Sequence, residues 1–252
     1  MPLHVEVHDG VAVLTLDDPE RRNALSGEMV DQIVATMRGF ADSTDGAESV
    51  AAVVITGAGP AFCSGADLGN LVKLTEEEGG DAREVRNIYD GFLAFRDSPL
   101  PSIAAVNGPA VGAGFNLALA CDVRIASPAA RFDTRFTTIG LHPGGGHVWM
   151  LERLGGPQTA AAMVAFGERI NGTRAAELGL VWECVEEEML VETAVEMAKR
   201  AASVPRDLMA KVKATLRDAA WQPDFEHAVT TELDRQAWSF AQGYLNERVR
   251  RP

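Results

Sequence analysis

Apolar and polar residues alternate through LHVEVH and again through VAVLTL, on either side of Asp9-Gly10. That period of two predicts two strands, and the Asp-Gly pair predicts a tight hairpin between them. The period changes at NALSGEMVDQIVATMRGFAD, where Met29, Ile33, Met37 and Phe40 fall at helical spacing behind Ser26, a candidate N-cap. VAAVVITGAG and PSIAAVNG are short, apolar runs ending at glycine and predict buried strands. REVRNIYDGFLAFRDSP predicts a helix that stops before Pro99, GFNLALACD a short helix, and VRIASPAARF two short strands with a turn at Pro128.

Beyond LHPGGG the helical period dominates. HVWMLERLG, PQTAAAMVAFG and TRAAELG read as three short helices, LVWECV as one more strand, and EMLVETAVEMAKRAASVP as a longer helix. From Pro205 the segments RDLMAKVKATLRDAAW and FEHAVTTELDRQAWSFAQGYL are helical too. Strand-then-helix units through the first two thirds predict an α/β fold with stacked sheets. A soft boundary near residue 200 divides 1–200 from a helical 201–252, and the absence of a low-complexity linker implies that the two parts pack together. Leu208, Leu216, Trp221, Phe225, Trp238 and Phe240 give the tail apolar positions that need a packing partner, either this chain's core or a neighbour.

Composition narrows the classes. At 252 residues with 46% hydrophobic and 23% charged positions, the chain reads as globular rather than disordered. A net charge of −13 argues against a nucleic-acid binder, which needs a basic face for phosphates. A phosphorylated small molecule stays open, because a few arginines can reverse the field in one cleft. Cys63, Cys121 and Cys184 are far apart and unpaired in pattern, so neither a metal site nor a disulfide framework is expected. No apolar run nears the roughly 18 residues that span a bilayer. MPLHVEVHDG lacks a basic-then-apolar leader pattern, and the expectation is a cytoplasmic protein.

Four local signals carry the chemistry: PERRNAL, VVITGAGPAFCSGADL, NGPAVGAGFNLALACDVRIA and GLHPGGG. In this order, with TGxGxAFCxGAD and NGxAxGAGxxLALACD nearly complete, the chain resembles the enoyl-CoA hydratase/isomerase family, the crotonases, over almost its whole length. The resemblance implies a spiral of β-β-α units with a C-terminal helical region that builds a trimer or a dimer of trimers. It implies a coenzyme A thioester as ligand and no prosthetic group. Polarising a thioester carbonyl takes two donors aimed at one oxygen, which backbone amides at glycine turns and helix N-termini supply well. By resemblance these donors are the N–H groups of Ala66 and Ala113. The coenzyme A would lie along Arg22, Ala24, Leu25, Ser64, Gly65, Ala66, Asp67, Leu68, Gly112, Ala113 and Gly114, with Arg21 and Arg22 facing a phosphate. Asp67 also reads as an N-cap.

Hydratases of the family use two glutamates. Laid onto this sequence their positions hold Asn116 and Phe136. An amide cannot cycle protons near neutral pH and a phenyl ring has none to exchange, so efficient hydration is not expected while thioester binding is. Asp133 and Arg135 read as an ion pair on the face of an extended segment away from Phe136. His142 is a candidate group for the acyl portion, since a histidine beside the glycine run could reach it. His147 reads as a structural residue at the start of the next helix. Asn116 reads as a holder of water or of the thioester, and Phe136 as an apolar constriction. Two readings remain: an enzyme of lyase or isomerase type with altered acid/base residues, or a non-catalytic acyl-CoA carrier. A structural assembly protein is a third and weaker one.

Overall fold

The computed structural model describes residues 2–43, 49–67, 69, 82–219 and 221–249. Strands β1 (Leu3–His8) and β2 (Val11–Leu16) form the expected antiparallel hairpin. Asp9 and Gly10 both take positive φ, 52° and 76°, as a two-residue hairpin turn of this hand requires. Helix α1 (Gly27–Asp42) starts where Ser26 accepts from the Met29 N–H at 3.2 Å, and it buries Met29, Val30, Ile33 and Met37.

Strands β3 (Ala52–Gly57) and β4 (Ser102–Val106) bracket helix α2 (Ala82–Arg96), and β5 (Pro109–Val111) leads into α3 (Ala113–Ala120). After β6 (Val123–Ala126) and β7 (Arg131–Asp133) comes α4 (His147–Ala165), then β8 (Ile170–Asn171), α5 (Gly172–Glu177), β9 (Glu183–Cys184) and α6 (Leu190–Ala202). The larger sheet has the order β1-β2-β3-β4-β6-β9 and is parallel from β2 onward. The smaller has the order β5-β7-β8. Both faces of the larger sheet are covered, which explains its unbroken apolar strands. Val53 and Ile55 pack with Met29, Ile33, Phe92, Phe95 and Phe115 on one side. Ala52, Val54, Ile103 and Ile125 pack with Leu190, Ala194 and Ala198 of α6 on the other.

The two helices read in HVWMLERLG and PQTAAAMVAFG both form and run end to end as α4, broken at Gly156 (φ 82°) just before Pro157. Pro157 has no N–H to lose at the start of the second piece, so the kink is where a proline is tolerated. The strand read in LVWECV contracts to Glu183–Cys184. Both strands read in VRIASPAARF form, β6 in the large sheet and β7 in the small one.

The last part of the described chain is helical: α7 (Arg206–Ala219), α8 (Phe225–Ala241) and α9 (Tyr244–Val249). Buried Lys213 ties α7 to the core by donating to the carbonyls of Phe95 (3.2 Å) and Leu100 (2.7 Å) and pairing with Asp122 at 2.8 Å. Arg235 of α8 in turn reaches Asp218 of α7 at 2.7 Å. Among the described residues no helix is long and apolar enough to cross a membrane.

Candidate active site

The site is built from two glycine turns held side by side. Cys63 donates to Pro109 O and Val111 donates back to Cys63 O, both at 3.0 Å, so the end of the first turn runs parallel to β5 with Cys63 opposite Ala110. Ala66 and Ala113 therefore stand at equal distances along the chain beyond that pair. Gly114 is obligatory here, because a Cβ on it would fall 2.2 Å from Cys63 O. Gly65 is obligatory for two reasons: its φ is 97°, and a Cβ would lie 2.5 Å from Val111 O and 3.4 Å from the Ala113 nitrogen. Ala113 is the first residue of α3, so its N–H has no acceptor within the helix. The Ala66 N–H likewise has no acceptor among the described residues.

A third segment clamps the first turn. Leu25 N–H donates to Gly65 O at 2.8 Å, and Ser64 N–H to Arg22 O at 3.0 Å. Asn23, buried and left-handed at φ 57°, donates to the carbonyls of Ala58 and Ala61 and accepts from the Asp18 N–H. Sequence reading missed Asn23, although asparagine is among the residues that enter the left-handed region most readily. Asp67 accepts from the Gly69 N–H at 2.8 Å, in line with a cap. Leu68 lies outside the described residues.

Gly65, Ala66, Gly112, Ala113, Asn116, Phe136 and His142 line one cavity of about 310 Å³, with Ile88, Tyr89, Ile139 and Leu141 supplying apolar wall. No aspartate or glutamate lines it among the described residues. Asn116, 1% exposed, is held at both ends. Its Nδ2 donates to Gly144 O at 3.0 Å, and its Oδ1 lies 2.6 Å from Nδ1 of His147. His147 is also 1% exposed, and burial pushes its pKa down to about 4, so the imidazole is neutral at pH 7. The rings of Phe115 and Phe136 stand edge-on to it at 5.3 and 5.1 Å. His142 is exposed at the rim, its Nδ1 2.8 Å from Pro143 O.

The Asp133–Arg135 pair forms, at 2.7 Å, and Arg169 joins it at 3.0 Å. The expectation that Arg135 and Phe136 face opposite ways does not hold. Arg135 is left-handed (φ 57°), which breaks the strand alternation, and both residues line the cavity. Arg135, Ser64 and Val111 also line a neighbouring cleft of about 700 Å³ together with Arg22, Arg131, Arg169 and Arg174. A third space of about 350 Å³ is walled by Arg21, Arg22, Ala24, Ser64, Ala66 and Asp67. Leu25 and Gly114 are not among the residues lining these spaces, and hold the turns through main-chain hydrogen bonding and close packing. Cys63 and Cys121 are buried thiols pushed up to about 12, and so are unreactive.

Comparison with known proteins agrees with this architecture. A family model described as Enoyl-CoA hydratase/isomerase matches residues 6–244. The "probable enoyl-CoA hydratase EchA14" of Mycobacterium tuberculosis is 47% identical over 87% of this chain and 82% of its own length. The 1,2-epoxyphenylacetyl-CoA isomerase of Escherichia coli is 33% identical over 92% and 85%. The crystal structure of an enoyl-CoA hydratase from Polaromonas sp. JS666 superposes with a TM-score of 0.87 at 29% identity, covering 98% of this chain and 95% of that one. The chain belongs to the enoyl-CoA hydratase/isomerase family, with the crotonase fold, and its metabolic context is that of acyl-CoA thioesters.

Proposed function

We propose that this protein binds an acyl-CoA with the thioester oxygen against the Ala66 and Ala113 amides, and performs enolate chemistry there other than efficient two-carboxylate hydration. The carrying observation is the composition of a single cavity: two glycine turns with free amides on one side, and Asn116 and Phe136 rather than acids on the other. Paired amides at the developing oxyanion are worth on the order of 10²–10³ in rate, with or without an acid/base pair beside them. The arginine-lined clefts beside the acyl cavity suit the phosphates of coenzyme A in a chain that is otherwise strongly acidic. On this reading no prosthetic group takes part, and His142 touches the acyl portion from the rim.

The working form in this proposal is a cytoplasmic homotrimer or dimer of trimers in fatty-acid or related acyl-CoA metabolism. Residues 201–252 would serve as its assembly segment. Large apolar side chains support that role, Phe225 being 80% and Leu216 70% exposed in the single chain.

The test is calorimetric titration with saturated and unsaturated acyl-CoA esters, followed by mass spectrometry of the products. Binding with a new product supports the enzyme, and binding with none supports a carrier. The double change Asn116→Glu with Phe136→Glu is expected to raise crotonyl-CoA hydration over the native chain by about 10² or more. No rise, in a folded variant that still binds, would overturn the placement of these two positions.

A further inference from the structure

Behind the cavity wall sits a group that the reading above leaves idle. Asn116 cannot be flipped: its Nδ2 donates to the Gly144 carbonyl at 3.0 Å, so the atom facing His147 is the carbonyl oxygen. The short 2.6 Å contact to that oxygen then requires a proton on Nδ1 of His147. In the neutral ring this leaves Nε2 as a bare lone pair, and Nε2 is buried with no hydrogen-bond partner among the described residues. Buried acceptors without partners are uncommon in folded proteins, and each one calls for a physical explanation.

Resting on the acyl-CoA reading, we propose that Nε2 of His147 is the proton carrier of this site, with Asn116 as the residue that orients it. An imidazole whose Nδ1–H is held by a side-chain carbonyl while Nε2 stays free is the arrangement in which histidine works as a base. Two of its neighbours, Asn116 and Phe136, line the acyl cavity themselves, and Phe136 packs edge-on against the ring. His147 itself stands behind the residues that line the cavity, so on this proposal Phe136 turns aside when the acyl group enters. Its folded pKa of about 4 gives it the base strength of an ordinary carboxylate, which is the chemistry missing from positions 116 and 136.

The step balances with no co-reactant. With the thioester oxygen on the Ala66 and Ala113 amides, Nε2 takes a proton from Cα, and the C–H electron pair becomes the enolate. The imidazolium keeps its Nδ1–H on Asn116 and returns the Nε2 proton. Return to Cα gives exchange. Return to Cγ of a β,γ-unsaturated acyl group moves the double bond to α,β. The substrate class is therefore an acyl-CoA with an acidic Cα–H, of which β,γ-enoyl esters are the productive members.

The experiment is exchange of the α-protons of butyryl-CoA in D₂O, followed by proton NMR on the full chain, with binding measured by calorimetry. The wild type is expected to bind and exchange. His147→Gln, which can still donate to Asn116 but cannot carry a proton, is expected to bind while exchange falls on the order of 10²–10⁴. Exchange in His147→Gln within threefold of wild type overturns the proposal, as does a wild type that binds without exchanging; in both cases the acyl-CoA reading survives. Failure to bind any acyl-CoA removes that reading and this one together. Should His147→Gln not fold, nitrogen-15 shifts of the wild-type imidazole decide. A protonated Nδ1 with a lone pair on Nε2 that shifts on butyryl-CoA addition supports the assignment, and the opposite tautomer or an unmoved Nε2 overturns it.

Discussion

The two sides of the cavity that Ala66, Ala113, Asn116 and Phe136 line are built on different principles. One side is main chain: the amides of Ala66 and Ala113, held by ladder contacts from Cys63 to Pro109 and Val111 and by glycines that no larger residue can replace. The other is side chain: Asn116, Phe136 and, behind them, His147, joined by one hydrogen bond and one edge-on ring contact. The first side can bear almost no substitution, because a Cβ would strike backbone. The second can exchange residue types more readily, because apart from the Asn116 bond to the Gly144 carbonyl its contacts are between side chains. Such a scaffold can hold its pair of backbone turns constant while the side chains facing them vary.

The largest expected effect comes from breaking the main-chain side. Gly65→Val forces a β-branched residue to φ 97° and against Val111 O, which moves the Ala66 amide. Thioester-dependent exchange or turnover should fall on the order of 10²–10³, and an unchanged rate in NMR exchange would show that this turn does not face the ligand. The next effect is on the side-chain wall. Asn116→Leu keeps the volume but strands both the Gly144 carbonyl and the His147 Nδ1–H. Urea unfolding should register a loss of about 2–4 kcal/mol. A loss below about 0.5 kcal/mol, the range of an ordinary surface change, would mean that the amide is not the cross-link it looks to be.

The smallest effect is one of pH. The folded state holds His147 near 4 against an ordinary 6.5, so between these values the unfolded chain binds a proton that the native one refuses. Stability from this group is complete above pH 6.5 and is lost as pH falls toward 4, by up to about 3 kcal/mol. Urea midpoints of wild type and His147→Gln, compared at pH 7 and 4.5, isolate that share. Parallel losses in the two proteins would place His147 in a more solvated setting than its burial implies.

Much of the scaffold was legible because its signals are local. The Asp9-Gly10 hairpin, the Ser26 cap and the glycine turns depend on the conformational preferences of a few neighbouring residues. Arg135 defeated the extended reading because a single left-handed residue resets which way its neighbours point, and arginine gives no warning of it. Asn23 went unnoticed for a related reason: its partners at Ala58 and Ala61 are more than thirty positions away. His147 stands buried at the start of α4, where the sequence placed it, but its partner Asn116 is 31 positions away.

Taken alone, the sequence determined the order of elements and the two glycine turns, and by resemblance it marked Asn116 and Phe136 as positions to watch. Tertiary structure decided what those residues do. Asn116 and His147 lie 31 positions apart, on α3 and α4, and only the packing of those helices brings oxygen and nitrogen to 2.6 Å and shuts water away from the ring. A side chain's hydrogen-bond partners and its proton affinity are set by whatever surrounds it, and those surroundings come from distant parts of the chain.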